Sequence, residues 1–370
     1  MSSSSAYRAL GTVAGLVIVI AGLKLAAAVL LPILVAFFLS ALSLPLLHWL
    51  RKRCPDWIAV TVAILASLLF VVGLGFLVSG SISDFIAAAP RYRLRFQEIL
   101  AAAVHWLQAR GIPAGEWVSA ENIDPGAFVD FVTSTLKGVA SVLTNLLLVV
   151  VTMIFVLLEA TKFQERVRLA VGPRSEARLT QYSAAFAQIQ RYLAIKTVVS
   201  ALTGVTIGLA MAIVGLDFPI LWGLTAFFFN YIPNLGSILA AIPAVLLSLV
   251  QLGPLPTLVV LLIYVGVNLL LGNIVEPQLL GRRLGLSPLV VFLSLVFWGW
   301  VWGPAGMILS VPLTVMARIF FENSRELRWV AVFLAARPRA VPPAPELPIA
   351  SHQPPAASPE PEAARRPLRP

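Results

Sequence analysis

Glu276 is the only carboxylate after Asp217 in the stretch from Phe218 to Arg318. Asn268, Asn273 and Gln278 lie close to it in sequence, and Pro277 follows it directly. Pro277 removes a backbone donor and frees carbonyls near a membrane edge. A lone Glu in this setting can bind a proton, a cation or a substrate hydroxyl. The alternative is an anchor, with Glu276 paired to Arg282 or Arg283. A charge at the bilayer centre costs on the order of 3 kcal/mol by insertion scales, so a deep Glu276 needs a partner or a cavity.

A second set of polar groups surrounds Ile232-Pro-Asn-Leu-Gly236: Asn230, Asn234 and Ser237. Gly236, Gly303 and Gly306 leave backbone amides and carbonyls open, and helix-end dipoles there could receive a polar solute. Equally, these glycines could serve only a tight turn. Trp298, Trp300 and Trp302 could stack a sugar-like ring, or act as interfacial anchors. Enzyme chemistry is not indicated. His48, His105 and His352 are isolated, no HExxH or Cys/His set occurs, and Cys54 is the single cysteine. No metal or cofactor is expected. Without a Walker loop, ATP-driven transport by this chain alone is not expected, and secondary transport remains.

The elements that must position these residues form two copies of one pattern. Pro219 lies on Pro288 and Pro243 on Pro312, each pair of positions 24 residues apart within its copy. The first copy, Phe218 to Val250, breaks at Ile232-Pro-Asn-Leu-Gly236. The second, Ser287 to Ile319, breaks at Trp302-Gly-Pro-Ala-Gly306. Each half is shorter than the roughly 20 residues of a comfortable crossing, so each copy reads as a re-entrant helical hairpin. Thr257 to Ser287, one span with a polar end, joins them. Paired, interrupted segments of this kind point to a transporter's binding site.

The chain has 370 residues, of which 59% are hydrophobic and 12% charged, and its net charge is +10. Its mean hydropathy is +0.91. A soluble domain of this size does not carry that composition. The expected fold is an all-α polytopic membrane protein. Its positive charge fits basic cytoplasmic loops beside anionic lipid better than nucleic-acid binding. The expected partners are a small-molecule or ion substrate and the bilayer, without nucleic acid, and self-association as a homo-oligomer stays open.

In order, residues 1–80 hold the N-terminal transmembrane helices. Leu10 to Leu47 reads as a tight helical pair with Lys24 at the turn; one long helix is the alternative. Arg51-Lys-Arg53 is a cytoplasmic stop signal, and Trp57 to Ser79 the next span. Residues 81–136 read as one or two amphipathic helices outside the bilayer. Residues 137–196 hold a span, Gly138 to Leu158, and a basic cytoplasmic helix from about Ser175 that runs into the next span. That span, Thr197 to Leu216, is Gly/Ala-rich and suits close helix contact. Residues 197–322 are the repeat-containing core, and 323–370 a cytoplasmic tail, Pro-rich and disordered from about 337. With both termini in the cytoplasm, the basic clusters land inside and the two hairpins enter from opposite faces, as an inverted repeat.

Asn273-Ile-Val-Glu-Pro-Gln-Leu-Leu-Gly-Arg282, Leu286-Ser-Pro288, Trp298-Gly-Trp-Val-Trp-Gly-Pro-Ala-Gly-Met307 and Val311-Pro-Leu-Thr314, with Ile232 to Gly236, resemble the AI-2E family of transporters, also called PerM-like permeases. The resemblance covers roughly residues 10 to 335; the Pro-rich tail is not part of it. It implies about eight transmembrane segments in the inner (plasma) membrane and export of a small solute, the furanone-type quorum signal for the family's namesake. Other members resemble cation/proton antiporters. Three readings follow: a secondary exporter of a small polar solute, a sodium or other cation/proton antiporter, and a non-transporting scaffold or receptor. The expected site comprises Glu276, Asn273, Asn268, Gln278, Asn230, Asn234, Gly236, Gly303 and Gly306, framed by Pro233, Pro277, Gly281, Pro288, Pro304 and Pro312. The hairpin tips are expected to meet near the midplane.

Overall fold

The computed structural model describes residues 3–111, 133–134, 148–159, 176–233, 235–280, 286–323, 330 and 333–334. Asn234, Gly281, Arg282, Arg283, most of the 81–136 segment beyond 111 and the Pro-rich tail lie outside the described residues. Among those described, the regular elements are helices.

The chain opens with α1 (Ser3–Leu25) and α2 (Ala27–Arg51). Ala26 alone separates them. The Ala26 N–H donates to Gly22 O and the Leu30 N–H to Ala26 O, so the helical bonding pattern continues across the joint. The two helices are one bent rod, which corrects the expected tight pair. Ala26, Ala27 and Ala28 are strong helix formers, and no residue here adopts the positive φ a sharp reversal would use.

Next comes α3 (Asp56–Gln108), 53 residues without interruption. At 1.5 Å per residue it is about 80 Å long, far more than a ~30 Å hydrocarbon core. The expected boundary between a span ending at Ser79 and separate helices from Ser81 is therefore absent. The far part of α3 does not stand free. Val78, Ile82, Phe85 and Tyr92 are buried in one cluster with Leu221, Trp222 and Phe228. α4 (Leu148–Glu159) overlaps the C-terminal part of the expected Gly138 to Leu158 span and buries Val149, Met153 and Leu157 against Ala36.

α5 (Glu176–Val214) runs unbroken from the basic segment through the Gly/Ala-rich span, as expected. Its small residues carry a close helix crossing. A Cβ on Gly204 would lie 2.7 Å from Gly223 O, and one on Gly223 2.7 Å from Gly204 O. The two backbones therefore touch, as small-residue faces in membranes permit.

The first hairpin is α6 (Pro219–Phe229) and α7 (Gly236–Leu252). The linking span is α8 (Pro254–Val267), then a π-helical segment over Asn268–Val275, then α9 (Glu276–Leu280). The second hairpin is α10 (Pro288–Asn323), interrupted at Gly303, whose φ of 64° and ψ of −148° only glycine adopts readily. Past that point the chain doubles back. Gly306 lies against Trp298 O, and the Ser294 hydroxyl donates to Ser310 O at 3.2 Å. Both copies thus break where the sequence indicates.

α8 and α9 run antiparallel to α5: Glu276 meets Lys196, while Asn268 and Tyr264 share one cavity with Thr203 and Ile207. The first hairpin starts at the C-terminal end of α5. The start of the second packs at the other end, where Leu286 joins Ile189, Tyr192 and Leu193. That opposition is what an inverted repeat requires. Outward-facing Leu65, Leu69, Phe76, Leu209 and Ile213 are exposed, an apolar coat suited to lipid. Five described helices are long and apolar enough to cross a membrane, with three shorter apolar ones between them. The protein is an all-α polytopic membrane protein.

Candidate functional site

Two features sit between α5 and the linking span. The first is an ion pair. Lys196 Nζ lies 2.8 Å from both Oε1 and Oε2 of Glu276. The two side chains are only 5% and 16% exposed. A bidentate, nearly enclosed pair of this kind neutralises each charge where water cannot. Arg282 and Arg283, the partners expected from sequence, lie outside the described residues, and Lys196 is the partner observed. One signal was available: Lys196 is the last charge before one span and Glu276 the first charge after the antiparallel one.

The second feature is a small cavity of about 20 Å³ with a mixed polar and apolar lining, room for roughly one water-sized group. Its lining includes Thr203 from α5, Asn230 and Ser237 from the first hairpin's break, and Tyr264 and Asn268 from the linking span. Local bonding leaves capacity there. Thr203 donates its hydroxyl to Val199 O at 2.9 Å, keeping its lone pairs. Asn230 Nδ2 donates to Ser200 Oγ at 2.9 Å. Asn268 fits because Gly272 carries no side chain: a Cβ there would lie 3.0 Å from Asn268 Oδ1. The Tyr264 hydroxyl is buried with no hydrogen-bond partner. The π-helical segment begins at Asn268, and such widened turns recur at functional sites.

The structure therefore brings Asn230 and Asn268 together and places Glu276 one helical stretch further along. Asn273 and Gln278 are exposed and contribute to neither feature. Gly236 and Gly306 are buried where the hairpin arms touch, which leaves no space for a ligand beside them. Pro233, Pro277 and Pro304 flank helix breaks or starts, and Pro288 opens α10. The tryptophans are engaged. Trp302 Nε1 donates to Leu23 O at 2.9 Å, Trp298 Nε1 to Thr314 Oγ1 at 3.2 Å, and Lys24 Nζ sits 4.5 Å above the exposed Trp300 ring. They pack and anchor; they form no open stacking platform.

Asp217 precedes the first hairpin. It is tied to α3: Arg91 Nη2 lies 2.8 Å from Asp217 Oδ2, and the Tyr92 hydroxyl donates to the same carboxylate. The Asp217 N–H donates to Gln251 Oε1 at 2.9 Å. This clamp holds the start of the first hairpin, including Phe218 at φ 59°. A separate apolar cavity of about 130 Å³ lies where the hairpins face one another, with Phe228 and Tyr231 on one side and Leu309 and Pro312 on the other.

A helical membrane protein with two broken hairpins, polar side chains converging at one break and a buried ion pair has the architecture of a transporter. Residues 14–326 match the family described as AI-2E family transporter, and the chain belongs to that family. It is 36% identical over 325 residues to the AI-2 transport protein TqsA of Escherichia coli K12, covering 86% of this chain and 93% of that one. A putative transport protein of Haemophilus influenzae is 35% identical over the same 86% and 93% shares. The putative transport protein YhhT of Escherichia coli K12 is 30% identical over 88% of this chain and 94% of its own length.

Proposed function

We propose that this protein is a secondary transporter that exports a small polar solute across the inner (plasma) membrane, with a furanone-type signal of the autoinducer-2 class as its candidate substrate. The observation that carries this reading is the convergence of Thr203, Asn230, Ser237, Tyr264 and Asn268 on one small cavity at the first hairpin's break, inside an otherwise apolar bundle. Polar groups and broken backbone persist at membrane depth where they face protein or a cavity. A scaffold has no use for either. The similarity to the AI-2 transport protein TqsA of Escherichia coli supports the solute class.

The cation/proton antiporter is the second reading, and the Lys196–Glu276 pair favours it. Flux separates the two. In proteoliposomes the signal is expected to accumulate down an imposed gradient, and the flux to saturate with solute. A sodium- or potassium-driven proton flux, with no movement of the signal, would establish the antiporter and overturn the exporter.

Sidedness follows the basic clusters. Both termini belong in the cytoplasm and residues 81–136 on the outer face. Gly115→Cys in a Cys54→Ala background should react with an impermeant thiol reagent on intact cells. Reaction only after permeabilisation would reverse the assignment.

A further inference from the structure

We infer that the cavity between α5, the first hairpin's break and the linking span is a solute seat, taking one hydroxyl or carbonyl oxygen of an uncharged, hydroxylated small molecule, with Tyr264 as the donor that orients it. This rests on the reading of the chain as an exporter and names the residues and ligand chemistry of that site.

The argument begins with the unmatched hydroxyl. Tyr264 is 5% exposed, and its oxygen has no partner. A buried donor left unmade costs roughly 1–3 kcal/mol, so a folded bundle retains one at a net loss unless something fills it. The cavity it borders is large enough for one oxygen-bearing group. Thr203 on α5 and Asn268, one turn along Tyr264's own helix, offer oxygen acceptors, and Asn230 is held by its donation to Ser200. A group that accepts from Tyr264 and donates to one of these acceptors is matched on both sides. A hydroxyl does both.

Charge decides the ligand class. Among the described residues, no carboxylate lines the seat. The nearest one along the linking helix, Glu276, is already neutralised by Lys196. A cation entering a narrow cavity with no charged lining residue loses hydration without a compensating charge, whereas an uncharged hydroxyl exchanges water hydrogen bonds for protein ones. The π-helical segment adds a mechanical element. Asn268 starts it and Glu276 follows it, so a shift of the widened turn moves the seat's wall relative to the ion pair.

The test uses the full chain in proteoliposomes. Tyr264→Phe deletes only the hydroxyl. It should leave thermal stability unchanged or raised, because an unmatched donor disappears, and raise the half-saturating concentration for the furanone signal by about tenfold, the effect of one lost hydrogen bond of ~1.4 kcal/mol. A second arm does not depend on flux. Ser237→Cys in the Cys54→Ala background is labelled with a small neutral thiosulfonate. The furanone signal or erythritol should slow labelling several-fold, sodium chloride should not, and Tyr264→Phe should remove the protection. Protection without flux would overturn the exporter reading while the seat stands. Unchanged half-saturation in Tyr264→Phe together with no protection would leave a structural water site and overturn the seat. Protection by sodium alone would replace the solute by a cation.

Discussion

Glu276→Gln and Lys196→Met, each made alone, are expected to destabilise the folded protein by about 3–5 kcal/mol and to stop transport. Each leaves the other group of a nearly enclosed ion pair without its partner, and breaking such a pair from one side costs about that much. The neutral double variant, Lys196→Met with Glu276→Leu, separates anchor from function. Replacing both charges with apolar groups removes both desolvation costs, and such exchanges are often neutral or stabilising. The double variant is therefore expected to regain most of the lost thermal stability. Its transport is expected to stay below a tenth of the parent's, because the pair links α5 to α9 at the end of the π-helical segment. Thermal unfolding in detergent and flux in proteoliposomes are read on the same preparations. Normal flux in the stable double variant would reduce the pair to an anchor.

What could be read from the sequence was whatever is carried by local pattern. The repeat was visible in Pro219, Pro243, Pro288 and Pro312, and both helix breaks fall where Pro and Gly place them. The Gly/Ala face of α5 was legible too, because close approach demands small residues wherever the partner lies. The site was only half legible. Asn230 and Asn268 stand out as amides in apolar runs, and they do meet. Thr203 and Tyr264 do not stand out, since a Thr and a Tyr in a membrane span are ordinary packing residues. Their role comes from the antiparallel register of α5 and α8, which no local signal specifies. Lys196 was missed for a similar reason. It closes a segment crowded with Arg and Lys, and only the fold separates it from them.

The boundaries read from hydropathy failed in a consistent way. A window sees where apolar residues end, but a helix continues as long as its backbone bonds do. Polar residues after Ser79 do not stop α3, and Pro90 lies inside it. Continuity lets Tyr92 and Arg91 reach Asp217 and couple the long helix to the first hairpin. The same continuity through Ala26 turned an expected pair into a bent rod. Its bend sets Leu23 O to accept from Trp302 at the second hairpin's tip.

Gly236→Ala and Gly306→Ala are expected to be the most damaging single-methyl additions among the described glycines. A Cβ at Gly236 would sit 1.8 Å from Phe229 O, and one at Gly306 2.0 Å from Trp298 O. Both obstacles are backbone carbonyls, which cannot rotate away as a side chain does. The arms of each hairpin must then separate, and overpacking in a tight interior already costs about 1–3 kcal/mol when side chains can adjust. Losses above that range are expected for both variants, with the protein aggregating or extracted in low yield. Gly266→Ala is the control. It lies in the linking span with nothing within 4 Å of its Cβ position, and replacing glycine by alanine inside a helix gains about 1 kcal/mol. The unfolding temperature should rise or hold in Gly266→Ala and fall steeply in the other two. The matched loss at Gly236 and Gly306 would show that the two hairpins are closed by one device, a missing side chain where the returning arm meets the last carbonyls of the first. If Gly306→Ala were tolerated while Gly236→Ala was not, the second copy would have to open at its tip. The doubled-back geometry at Gly303 would then be one of two states of a moving hairpin.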